Sequence, residues 1–310
     1  MQKSDRTDSG KMRLIFGDET LGVYAGPLYL LFSYARGGIE SLVKDGVEWV
    51  YRTPRPAFWR AVTDNDRGNG FCHRAAMWMG ADAFIRCVAV SVKVDHKECI
   101  LPVAPENNRY TGEEEAECVE VSFTYETNTV PAAAVEVAYE VYTPGEVRVE
   151  VHYQGKKGLP ELPAFGLRFI MPTKAERFCY EGLSGETYPD RMAGGIPGVY
   201  EMEGLPVTKY LVPQECGMHM GTKWVTIHRK TTLTFEADGE DMAFSCLPYT
   251  PLELENATHQ EELPPARRTV LTIYGAVRGV GGIDSWGADV EPAYKIPADR
   301  DIRFSFRIKP

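Results

Sequence analysis

The sequence predicts an all-β protein built from two large stacked antiparallel sheets, with few short helices. Apolar residues alternate with polar ones at period two in five separate segments. Successive strand side chains point to opposite faces, so this alternation sets one face on a core and the other in water. Clean alternation belongs to antiparallel sheets, because parallel strands are covered on both faces and read as continuous apolar runs. Turn signals separate the segments at Thr143-Pro144-Gly145, between Gly155 and Gly158, and at Asp238-Gly239. No strand–helix–strand alternation occurs, which argues against a dinucleotide-binding fold.

In chain order, a β-rich run at 28–34 comes first. The alternations Val88/Val90/Val92/Val94, Val119/Val121/Phe123/Tyr125, Val135/Val137/Tyr139/Val141 and Val147/Val149/Val151/Tyr153 follow it. Further runs lie at 165–171, 224–228, 233–235 and 269–274, and Ile302/Phe304/Phe306/Ile308 closes the series. Residues 75–84 could form a short helix. The stronger helix signal is Thr250-Pro251-Leu252-Glu253. Thr is an N-cap, Pro suits the first helical position, and the Glu completes a capping box, predicting a helix to about His259. The stretch Thr53-Pro54-Arg55-Pro56 and the Pro264-Pro265 pair read as punctuation. Nothing divides the chain, so residues 1–310 are expected to form one domain, with 1–12 flexible.

Of the 310 residues, 44 are acidic and 34 basic, a formal net charge of −10. That disfavours nucleic acid and anionic membrane, both of which demand a basic face. The seven cysteines, at 72, 87, 99, 118, 179, 216 and 246, are odd in number and contain no CxxC pair. Such a set suits reduced cytoplasmic thiols. The polar start lacks the apolar centre of a signal peptide, and no stretch approaches the roughly 20 apolar residues of a membrane span. A cytoplasmic location is expected, with neither nucleic acid nor membrane as partner.

The search for an autonomous active site yields little. The six histidines (73, 96, 152, 219, 228, 259) are dispersed, without the clustered spacing of a zinc site. The glycines at 275, 279, 281 and 282 are followed by no Lys-Ser/Thr and make no phosphate-binding loop. Thr63-Asp64-Asn65-Asp66-Arg67-Gly68-Asn69-Gly70 invites a calcium reading, but the twelfth position from Asp64 is Ala75 rather than Glu. A buried turn whose carboxylates hold backbone amides is the favoured reading. The segment from Tyr180 to Arg191 offers Glu181, Glu186 and Asp190, and glycosidases work with a carboxyl pair. Against that, Asp190 beside Arg191 reads as an ion pair in a fixed corner. Gly281-Gly282-Ile283-Asp284-Ser285-Trp286-Gly287 sets an indole in a glycine-flanked loop, where a flat aromatic face could meet a sugar ring. Local features leave Trp286 open between binding and packing, whereas Trp49, Trp59, Trp78 and Trp224 read as core.

Several segments together are recognisable. They are Phe58-Trp59-Arg60-Ala61 with Thr63-Asp64-Asn65-Asp66, the stretch from Gly182 to Arg191, and Tyr210-Leu211-Val212-Pro213-Gln214-Glu215. Leu252-Glu253-Leu254-Glu255-Asn256-Ala257-Thr258-His259 and Gly281-Gly282-Ile283-Asp284-Ser285-Trp286 complete the set. In this order they resemble the small subunit of two-chain bacterial β-galactosidases, and the C-terminal sandwich of the single-chain enzymes of glycoside hydrolase family two. The resemblance implies a galactose-mutarotase-like supersandwich. It also implies a division of labour: the catalytic Glu pair and the Mg²⁺ and Na⁺ ligands belong to a large-chain partner, and this chain binds no cofactor and holds no catalytic residue. Eight strands alternating with eight helices cannot be found here, so the chain cannot supply a barrel. By the same resemblance Trp286 stacks on substrate at the aglycone side. The reaction implied is retaining hydrolysis of terminal β-galactosides such as lactose. Asp284 is expected to help hold the loop. Two alternatives stand beside this reading: a free-standing carbohydrate-binding module, and an aldose-epimerase-like enzyme using groups such as His152, His219 and Glu215.

Overall fold

Period-two alternation becomes burial in the middle of a ten-stranded sheet. The inward residues of the alternations at 119–125, 135–141 and 147–153 are all fully buried, on the strands Cys118–Glu126, Ala134–Tyr142 and Glu146–Tyr153. The outward residues form a lattice of charges. Arg148 reaches Asp238 (2.6 Å), Glu150 (3.0 Å) and Glu140 (3.3 Å) from the solvent side. In the alternation at 88–94 only Val92 is fully buried and Val88 is exposed. That strand, Arg86–Val94, has only the short Lys97–Cys99 between it and the sheet edge.

The computed structural model of the chain describes residues 10–101 and 110–310. Residues 1–9, most of the stretch expected to be flexible, lie outside the described residues. Met12, at the end of that stretch, opens the strand Met12–Gly17 and is buried.

Neighbouring strands run antiparallel in three sheets. From one edge to the other, the ten-stranded sheet follows the order Pro197–Glu203, Arg177–Leu183, Trp224–His228, Thr232–Ala237, Ile302–Lys309, Glu146–Tyr153, Ala134–Tyr142, Cys118–Glu126, Arg86–Val94, Lys97–Cys99. Two smaller sheets cover it. In the six-stranded one, Phe32 meets Phe123 and Tyr139 with ring centroids 6.5 and 5.7 Å apart. In the five-stranded one, Phe169 meets Phe235 at 5.2 Å and Phe165 meets Tyr153 at 5.5 Å. The all-β antiparallel expectation holds, but the second layer is split. The reason lies in the proline stretch read as punctuation. Pro54 and Pro56 fall inside the strand Arg52–Ala57, which forms the edge of the five-stranded sheet. Two prolines remove N–H groups that a further neighbour would need.

The five-stranded sheet is buried on both faces. All six residues of Met242–Leu247 are buried, and Leu247 packs with Ala61, Cys216 and Leu254 from segments lying across its outer side. The covering helices are short: α1 (Asp64–Asn69), α2 (Phe71–Arg74) and α3 (Pro251–Asn256). Helix α3 begins with the expected capping box at Thr250. It ends at Asn256 rather than near His259, because Thr258 turns to bond the Glu262 carboxylate (N···Oε2 2.7 Å). The expected helix at 75–84 is only a 3₁₀ turn, Ala76–Trp78. Gly80, at φ +74°, breaks any continuation. Trp49, Trp59 and Trp78 are core as expected. Trp224 is half-buried, its Nε1 donating to Glu181 (3.0 Å). No helix among the described residues is long and apolar enough to cross a membrane.

Phe165 joins the two layers, with ring centroids 5.6 Å from Phe58 and 5.9 Å from Phe304 as well. Phe165→Ala is expected to lower unfolding free energy by about 3–5 kcal/mol, read from urea denaturation of the purified chain.

Candidate functional site

The strand Thr269–Val277 hands the chain to Arg278, whose guanidinium is fully buried. Its Nη1 lies 3.1 Å from Asp66 and its Nε 2.8 Å from Glu161, and Nη2 reaches Asp289. The guanidinium carbon sits 3.7 Å from the ring centroid of Phe71 on α2. Asp66, on α1, also receives the buried Arg60, at 2.7 and 3.3 Å. Arg60 Nη2 in turn donates to the carbonyl of Gly279 (3.1 Å). One buried carboxylate thus serves two buried guanidinium groups. Burial by itself would raise the Asp66 carboxyl, but Arg60, Thr63 and Arg278 hold it below the usual carboxylate range. Taking ions out of water is offset only by good geometry and further hydrogen bonds, and here two more cations meet Asp289. Lys295 bonds Asp289 at 2.6 Å, and Arg74 bonds it at 3.0 Å.

Helix α1 exists because Thr63 and Asp66 cap each other: Asp66 N donates to Thr63 Oγ1 (3.1 Å), and Thr63 N donates to Asp66 Oδ2 (3.0 Å). The acidic 64–70 segment is therefore a cap and an ion-pair anchor, in line with the reading of carboxylates holding amides. Among the described residues no three His, Cys, Asp or Glu side chains gather as metal ligands would.

This charged core fixes the loop that follows it. Asp190 accepts from Val280 N (3.0 Å) and Gly281 N (2.7 Å), and Arg191 donates to the Gly281 carbonyl. The expected Asp190–Arg191 ion pair is absent. Arg191 meets Asp190 through the backbone carbonyl (2.8 Å), and both side chains grip the 280–281 backbone instead. Asn65 of α1 donates to Val280 O at 2.9 Å. Asp284 accepts from Trp286 N (2.9 Å) and Ala288 N (3.1 Å), so it holds the loop tip as expected. Gly282 (φ +75°) and Gly287 (φ +84°) are required where they stand. A Cβ would lie 2.8 Å from Asn65 Nδ2 at the first and 3.0 Å from Gly68 O at the second. The outcome is Trp286 at 91% exposure, with Ile283 at 56% beside it.

The remaining segments brace α1 from behind. Glu255 accepts from Trp59 Nε1 (3.3 Å) and Val62 N (3.0 Å), and Gln214 exchanges hydrogen bonds with Asp64 (2.9 and 3.0 Å). Glu215 accepts from Ala61 N (3.2 Å), and burial pushes its carboxyl up to about 7 despite the Arg60 charge. The acids of the 181–190 segment do not form a pair. Glu181 goes to Lys223 (2.6 Å), Glu186 to Thr208 (2.8 Å) and Asp190 to the loop backbone. The three epimerase candidates also have separate surroundings. His152 bonds Asp301 (2.8 Å) and Glu215 holds Ala61. His219 is pressed among Phe178, Tyr180 and Phe244, where burial drives its pKa down to about 4. Arg278, Asp289 and Glu161 escaped the sequence reading. The available signal was an arginine directly after the apolar run 269–277, where no charge should be cheap to bury.

The family model of the β-galactosidase small chain matches residues 27–308. A β-galactosidase small subunit from Latilactobacillus sakei is 57% identical, covering 96% of this chain and 98% of that protein. A β-galactosidase from Halalkalibacterium halodurans is 33% identical over 99% of this chain, which spans only 29% of that longer protein. This chain belongs to the β-galactosidase small-chain family. Among solved structures, a galactose mutarotase-like protein from Lactobacillus casei ATCC 334 matches 96% of this chain and 99% of its own, with TM-score 0.41 and 11% identity. No residue is carried over from it.

Two outcomes follow from the buried charges. Asp66→Ala leaves two guanidinium groups in the core without their shared carboxylate and should cost about 3–5 kcal/mol of stability, measured by denaturant unfolding. Glu215 binds its proton more tightly folded than unfolded. Its contribution is therefore fully present below about pH 4.5 and is lost as pH rises to about 7. Glu215→Gln should flatten that slope and gain about 3 kcal/mol at pH 8, seen as a pH series of unfolding free energies.

Proposed function

We propose that this chain is the non-catalytic small subunit of a cytoplasmic two-chain β-galactosidase, completing one wall of an active site on the large chain. The observation that carries this reading is Trp286: a fully presented indole on a loop fixed by a buried ion network. An indole this exposed is unfavourable for an isolated domain, and it suits a surface that meets a sugar and a partner. The acids around the Trp286 loop, Asp66, Asp190, Asp284 and Asp289, go to backbone amides and cations, which supports placing the carboxyl pair elsewhere.

In the proposed reaction, one large-chain carboxylate attacks the anomeric carbon of a terminal β-galactoside while another protonates the leaving oxygen. Water, deprotonated by the second group, then releases galactose with retained configuration. Lactose fits as substrate. Trp286 stacks against the aglycone and orients it. Mg²⁺ and Na⁺, assigned to the large chain, would supply charge and shape there rather than on this chain. The free described cysteines are in keeping with a reducing compartment.

The isolated chain should be silent on a chromogenic β-galactoside and on mutarotation of α-galactose, with hydrolysis restored when the large chain is added. Hydrolysis or mutarotation by the chain alone would overturn the proposal. In the reconstituted enzyme, Trp286→Ala should raise KM roughly tenfold, about 1.4 kcal/mol of lost contact, and change kcat less. Its unfolding midpoint should not move, because the side chain is exposed.

A further inference from the structure

On the free side of the edge strand Arg52–Ala57 a cleft of about 630 Å³ opens between that strand, residues 82–83 and the start of α3. A second lobe of about 390 Å³ continues it towards residues 264–268, and both lobes share Arg52, Ile170 and Thr250. Neither lobe is lined by any residue of the Trp286 loop. In a chain with ten more acids than bases, the charge of this cleft is reversed.

Three carboxylates line it, and each is already engaged. Glu40 pairs with Arg36 (3.8 Å), Asp82 with Arg168, and Glu253 with the N–H of Thr250 (2.7 Å). Arg52, Arg55, Arg267 and Arg268 have no carboxylate oxygen within 4.0 Å among the described residues. Arg55 donates to the Arg36 carbonyl (2.9 Å), and two of the others are held on a ring. Tyr51, tied by its N–H to Ile170 O (2.7 Å), carries Arg268 at 4.0 Å from its ring centroid and Arg52 at 5.8 Å. Arg168, nine-tenths buried in the wall, donates to the Trp59 carbonyl (3.1 Å), and its Nε has no partner. Cations fixed in a concave wall need less reordering on binding than free surface side chains do.

We propose that this cleft binds a phosphate monoester, with the phosphate at Arg52 between the two lobes and the organic part in the larger one. Guanidinium forks match phosphate oxygens in a bidentate manner. Four unneutralised guanidinium groups call for more than one negative charge, and a phosphate monoester brings about −2 at neutral pH where a carboxylate brings one. The lobe sizes fall in the range of small-molecule sites rather than of extended protein interfaces.

The test uses this chain without any partner, so it stands apart from the fate of the galactosidase reading. Inorganic phosphate, glucose 6-phosphate and a short poly-glutamate peptide are each titrated by calorimetry at constant ionic strength set with chloride. Saturable binding is expected for both phosphates, tighter for the ester. In the double variant R52A/R267A, which removes two exposed side chains, affinity should fall at least about tenfold. Arg303→Ala, on the outer charged face, should bind like the native chain. Absence of saturable binding, native affinity in R52A/R267A, or preference for the peptide overturns the proposal. Inorganic phosphate binding as tightly as the ester would overturn the assignment of an organic ligand.

Discussion

Asp66 carries two guanidinium groups in a place from which water is excluded, and the rest of the candidate site hangs from that arrangement. Arg60 reaches it from the segment preceding α1, and Arg278 from the end of a central strand 212 residues away in sequence. A buried ion cluster is a poor source of net stability, because desolvation consumes most of the Coulomb attraction. Its value is in specification. Each guanidinium fork accepts partners only in fixed directions, so the cluster permits one placement of α1 relative to the strand end. Once α1 is placed, Asn65 and the carbonyl of Gly68 define where the loop at 281–287 can run. The indole at its tip is left exposed, since Asp190 and Asp284, the carboxylates that bond the loop, are used to hold backbone.

How much of this could be read from the sequence depended on how many faces of an element are covered. Strands at 119–125, 135–141 and 147–153 have one wet face, so alternation displayed them plainly. Met242–Leu247 is covered on both sides, and its mostly apolar run, broken only by Ser245, carries no period. It went unnoticed, although it lies within an antiparallel sheet. The prolines at 54 and 56 do not by themselves distinguish an edge strand from a turn, because both tolerate proline for the same reason: neither needs every N–H. The short helices were legible at their starts, where a cap is a local pattern. They were not legible at their ends, which are decided by tertiary contacts such as Thr258 to Glu262.

The recognisable segments make physical sense as halves of contacts. The segment 58–66 means little without Glu255, Gln214 and Glu215 to receive its indole and amides. The corner at 188–191 means little without the backbone at 280–281. Each is weak alone because its partner lies far along the chain. Together they are specific because the contacts must be made jointly. Trp286 was visible as a candidate from its glycine-flanked setting, whereas the network beneath it was not. Arg278 looks like any strand-end arginine until its partners are placed.

One carboxyl in this region has the property usually sought in a catalyst. Glu215 is poised near neutrality, and perturbed acids often mark active sites. Here the inference fails on geometry. The displacement comes from burial, its oxygen is committed to the Ala61 amide, and it is sealed beneath Arg60 and Tyr188. A general acid has to reach the atom it protonates, and this one faces backbone. A near-neutral pKa in such a place records the burial of a carboxyl near Glu186 and Asp66, which the Arg60 charge offsets only in part. The same closeness of packing that perturbs Glu215 holds the loop still. The titration is a by-product of positioning.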